Sequence, residues 1–72
     1  KQRMNYLEKQ EWAKIEEDIA AIEEKIATIE AAMLECGSDF GRLADLQKDL
    51  DQENDLLLDK YERYEYLSGL DA

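Results

Sequence analysis

In the first half of the chain the large apolar residues fall at Trp12, Ile15, Ile19, Ile22, Ile26, Ile29 and Met33. The steps between them alternate strictly between three and four residues. That alternation is a heptad repeat with apolar a and d sites, and it draws one narrow seam along a long helix. Water penalises such a seam, so another surface must cover it. Asn5 precedes the repeat with Glu8 three residues later, the spacing of a capping box. The first helix is therefore expected to begin at Tyr6 and run to about Glu35, a length of roughly 45 Å.

The pattern breaks at Cys36-Gly37-Ser38-Asp39-Phe40-Gly41, expected as a turn over 36–41. Gly37 suits the left-handed conformation that ends a helix. Ser38 is a suitable cap for the next helix, with Asp39 favourable in its first turn. The second helix is expected over about 42–68. Its seam reads Leu43, Leu46, Leu50, Leu57, Tyr64 and Leu67, with Glu53 and Lys60 at two further sites. A break this short turns the second helix back beside the first.

In an antiparallel pair, the indices of facing residues sum to one value. Met33 with Leu46, Ile29 with Leu50, Ile26 with Glu53, Ile22 with Leu57, Ile19 with Lys60, Ile15 with Tyr64 and Trp12 with Leu67 all obey this rule. The expected fold is all-α: a two-helix antiparallel coiled-coil hairpin, monomeric because its seam is occupied by its own second half. This register puts Lys25 near Asp49, and Arg63 near Glu11 and Asp18. Glu53 and Lys60 are expected to bend their polar ends to water while their stems cover Ile26 and Ile19.

Composition supports this picture. The chain of 72 residues has no proline, three glycines and 39% charged residues. It is one small domain with a small core. It starts at Lys1, not Met, and is expected to be a piece of a longer protein. The net charge of −10 does not favour phosphate backbones or anionic membranes. No apolar run approaches a membrane span. One cysteine, Cys36, cannot form an internal disulfide, which fits a reducing cytoplasm.

Candidate chemistry is sparse. The acidic run Asp49, Asp51, Glu53, Asp55 fails as a calcium loop: Asn54 stands where glycine is needed, and Lys60 where the closing glutamate is needed. There is no glycine-rich phosphate loop, no nucleophile–base set and no paired catalytic carboxylates in a pocket. No catalytic, cofactor or metal residue is expected, and the chain itself is not expected to be an enzyme. Lys1, Arg3, Lys9, Lys14, Lys60 and Arg63 gather at the open end of the hairpin, with Trp12, Tyr6, Tyr61, Tyr64 and Tyr66. Such a mixture can bind nucleic acid by charge and stacking. It can equally be the packed base of the hairpin.

The opening Met4-Asn5-Tyr6-Leu7-Glu8-Lys9-Gln10-Glu11-Trp12 resembles the entry to the C-terminal domain of ABC-F ATPases of the Uup-like group. The isoleucine-glutamate repeat, the Gly37-Ser38-Asp39-Phe40 turn and the closing Tyr61-Glu62-Arg63-Tyr64-Glu65-Tyr66-Leu67 match it in order. Tyr64 stands where the family usually has Trp. The resemblance implies a parent protein with two ATP-binding cassettes and no membrane span, so ATP would be a cofactor of the parent only. It also implies contact with DNA or the ribosome, and with the parent's own ATPase domains. Lys1, Arg3, Lys9, Lys14, Lys60 and Arg63 are the candidate nucleic-acid-binding residues. The alternative is a structural spacer or protein-interaction coiled coil that binds no nucleic acid.

Overall fold

A computed structural model of the protein describes residues 2–71. They form two helices, α1 (Tyr6–Leu34) and α2 (Phe40–Ser68), packed side by side in a rod of 53 × 15 × 15 Å. The hairpin inferred from the constant index sum is the observed fold.

The ends of both helices follow from local chemistry. The Asn5 side chain accepts from the Glu8 amide at 2.8 Å, and Glu8 accepts from the Asn5 amide at 2.9 Å. This reciprocal box satisfies two otherwise orphaned donors and starts α1 at Tyr6 as expected. α1 stops at Leu34, with Glu35 as its cap. The turn is tighter than the expected 36–41. α2 begins at Phe40 and not at 42, because Asp39 caps it by accepting from the Arg42 amide at 3.1 Å. Ser38 is not the cap. Gly41 therefore lies in the first turn of α2, where it is tolerated.

Gly37 adopts φ +58°, the left-handed region expected of it. No heavy atom lies within 4 Å of a Cβ built there, so only backbone conformation would resist a side chain. Gly37→Ala should cost about 1–2 kcal/mol, and Gly37→Asn less, because asparagine tolerates this region better. Thermal unfolding followed by circular dichroism measures both, and the order of the two variants is the informative result.

The core is unevenly distributed. Ile15 and Leu67 are fully buried, and with Met4 and Ile19 they form one cluster. Trp12, Leu57, Tyr64 and Leu70 pack against it. Beyond Ile19 towards the turn, Ile29 is the one buried aliphatic residue, and Ile22, Ile26 and Met33 are half-buried. The open end is thus the firmly packed end.

That end is also fastened by backbone. The Met4 amide donates to the Asp71 carbonyl at 2.8 Å, and the Asp71 amide donates to the Gln2 carbonyl at 2.9 Å. Arg3 and Asp71 form a parallel bridge. Residues 2–4 are therefore half of a clasp between the two ends, with Met4 buried beneath it. Hydrogen bonding and burial thus make residues 2–4 part of the folded domain.

Candidate nucleic-acid interface at the open end

The six candidate cations fall into three groups. Lys1 lies outside the described residues. Lys60 and Arg63 are spent on the hairpin itself. The Lys60 ammonium lies 3.6 Å from the Asp18 carboxylate, and Arg63 Nε donates to Glu11 Oε2 at 2.8 Å. The same guanidinium lies 4.9 Å from the centre of the Tyr66 ring, a cation–π arrangement. The Glu11 hydrogen bond is the main reason that the Arg63 pKa is raised and its charge firmly held. The expected partnership of Arg63 with Glu11 is present, while Asp18 is taken by Lys60. Lys25 pairs with Glu53 at 3.5 Å, not with Asp49.

Arg3, Lys9 and Lys14 are exposed and, among the described residues, in no ion pair. They do not form one surface. Lys9 and Lys14 are five residues apart on α1, which places them about 140° apart round the helix. The open half also carries Glu8, Glu11, Glu16, Glu17, Asp18, Asp59, Glu62, Glu65 and Asp71. Acids therefore outnumber bases there as well as near the turn.

The aromatic residues are used for packing and cross-linking. Trp12 and Tyr64 stack at 5.1 Å between centroids with their planes inclined by 37°. The Tyr61 hydroxyl donates to Glu23 at 2.8 Å, Tyr64 to Glu16 at 3.4 Å and Tyr66 to Glu8 at 3.1 Å. Three hydroxyls of α2 thus reach across to three carboxylates of α1. This is the packed-base arrangement. Tyr6 is the exception. The residue is 72% exposed, and its hydroxyl accepts from Gln10 of its own helix.

The Glu23 and Glu8 hydrogen bonds are the main cause of raised pKa values at Tyr61 and Tyr66, above the ordinary phenol value of 10.0. The neutral phenol is the form that donates. A folded value above the unfolded one means that this contribution is complete below about pH 10 and is lost as pH rises through the folded value. Replacing Tyr61 and Tyr66 by Phe should remove that part of the alkaline loss of stability. Thermal midpoints of both proteins across the alkaline range check it, and parallel curves would refute it.

Glu53 is the polar group that the sequence reading misplaced. Its expected escape to water does not occur: the residue is buried in the seam. The half-exposed position expected of Lys60 is closer to what is found, although its head is paired. Among the described residues no cluster of His, Cys, Asp and Glu is arranged to hold a metal ion. Cys36 is a free thiol that donates to the Ala32 carbonyl at 3.5 Å. Among the described residues no helix is long and apolar enough to cross a membrane.

The family model described as the ABC transporter C-terminal domain matches residues 3–69. No curated protein and no solved structure matches the chain. The matched span covers both helices, the turn and part of the clasp. The chain therefore belongs to the ABC transporter C-terminal domain family.

Proposed function

We propose that this domain is a non-catalytic strut of an ABC-type ATPase: a spacer that holds its turn at a fixed distance from its open end and offers its surface to protein partners. ATP binding would reside in cassettes outside this chain. The observation that carries the reading is the clasp. Backbone hydrogen bonds between residues 2–4 and Asp71 tie the two ends together over the densest part of the core. A rod whose two terminal segments are tied together at its base has a defined direction as well as a length. The lone thiol of Cys36, without a disulfide partner, suits a cytoplasmic setting.

The test is a distance. Spin labels at Leu7 and Ser38, both exposed, should be separated by roughly 45 Å with a narrow distribution, since about 30 steps of ~1.5 Å lie between them. A broad or much shorter distribution would remove the strut reading.

A second reading, contact with DNA or the ribosome, is favoured by one observation. The exposed Tyr6 ring lies one turn from Lys9 and close in sequence to Arg3, with neither cation in an ion pair among the described residues. Exposed rings beside free cations can stack on bases and meet phosphates. In a gel-shift series and in ribosome co-sedimentation, this reading expects Arg3→Glu with Lys9→Glu to abolish binding. It also expects Lys60→Gln to leave binding unchanged, because Lys60 is already neutralised. Absence of wild-type binding at low salt would end it.

A further inference from the structure

Two large apolar residues flank the turn and take no part in the seam. Leu34, the last residue of α1, is 89% exposed, and Phe40, the first of α2, is 73% exposed. They are the two most exposed of the large hydrophobic side chains among the described residues. The turn that carries them is well tied. The Cys36 amide donates to Met33, the Asp39 amide to Cys36 and the Arg42 amide to the Asp39 side chain. The two apolar groups are thus presented on fixed backbone, so little ordering would accompany their burial.

Their surroundings are acidic. Glu30, Glu35, Asp39 and Asp45 lie within one helical turn or so of the pair, with Arg42 as the nearby base. This combination selects among possible occupants. A second copy of this chain carries the same acidic tip and the same net charge of −10, so like charges oppose tip-to-tip association. Nucleic acid and anionic lipid are opposed for the same reason. A protein surface with an apolar pocket rimmed by Lys and Arg satisfies both features. Apolar anchors within a complementary charged rim are the usual anatomy of a small contact site.

We propose that the turn, through Leu34 and Phe40, is a docking point for a basic-rimmed apolar pocket or groove on a protein. The assignment rests on the strut reading, because a strut gives the turn a definite place to reach. It adds which end makes contact and the chemistry of what is met.

Three synthetic helical peptides serve as probes: one amphipathic with leucine and lysine, one with the lysines replaced by glutamate, and one with the leucines replaced by serine. Amide chemical shifts of the labelled 72-residue domain report where each binds. The leucine-lysine peptide should shift residues 33–42 first. The glutamate peptide should shift nothing, and the lysine-serine peptide should bind at least roughly tenfold more weakly. A Leu34→Ser, Phe40→Ser variant should keep its helicity and lose the affinity of the leucine-lysine peptide by roughly tenfold or more. Shifts spread along the acidic faces and unchanged in that variant would overturn the proposal. So would concentration-dependent self-association that the double substitution abolishes. The spin-label distance is read separately, so a failed strut with an intact docking point, and the converse, give different results.

Discussion

Ile15→Ala is expected to unfold much of the population. The cost should be about 2–5 kcal/mol, combining lost transfer energy with the cavity left behind. Ile15 is fully buried and sits in the cluster with Met4, Ile19 and Leu67. A hairpin of 72 residues buries a modest fraction of its surface, so its total stability is of the same order as that loss. Leu67→Ala should behave alike from the other helix. The same change at Ile26, half-buried opposite Glu53, should cost clearly less. Chemical denaturation followed by circular dichroism gives all three values. Equal losses at Ile15 and Ile26 would contradict the uneven core. Hydrogen exchange offers an independent view: amides near the turn should exchange sooner than those of 12–19 and 60–67.

The difference between those sites was only partly legible in the sequence. Heptad spacing identifies Ile15 and Ile26 as equivalent seam residues, and two of the cross-helix ties fall beside layers that the constant index sum pairs. Lys60 reaches Asp18, beside its expected partner Ile19. Tyr64 reaches Glu16, beside Ile15. What separates Ile15 from Ile26 is not periodic. The clasp of residues 2–4 against Asp71 covers the open end with Met4 and Leu70. A single backbone bridge between chain ends leaves no repeating pattern to read. The cap of α2 was ambiguous for another reason. Ser38 and Asp39 are adjacent and both suit a cap, and choosing between them requires the geometry of the turn.

The candidate site shows the same boundary. Residue types placed cations and aromatic rings together at one end, and they are together. The register paired Arg63 with Glu11, as found, but the other pairings could not be read from the sequence. Each long side chain has several carboxylates within reach, and small differences in position decide among them. Lys60 and Arg63 became internal ties, and the tyrosine hydroxyls became cross-helix donors. Tyr6, Lys9 and Arg3 were left outside, each exposed and unpaired with α2 among the described residues.

Glu53→Leu should stabilise the hairpin by about 1–3 kcal/mol, since replacing a buried charge by a well-packed apolar residue is often favourable. Glu53 occupies a seam site between Leu50 and Leu57 and is 9% exposed. Its partner, Lys25, is 3.5 Å away with a side chain 66% exposed, so water weakens their attraction while the carboxylate bears the desolvation. Leucine would continue the seam against Ile26. The shift should appear as a higher urea midpoint with little change in slope. A second measurement isolates the cause. Lys25→Ala should destabilise the wild type and be nearly neutral in the Glu53→Leu background, the signature of a coupled pair. The carboxylate also marks the register, because only one alignment brings Lys25 to it. With leucine at position 53, the α2 seam becomes continuous from Leu43 to Leu57 and the alternatives gain ground, including association between chains. Sedimentation at rising concentration should therefore show more association of the Glu53→Leu variant than of the wild type. A stabilised variant that remains monomeric would mean that the clasp and the short turn alone fix the hairpin, with Glu53 a cost that secures nothing.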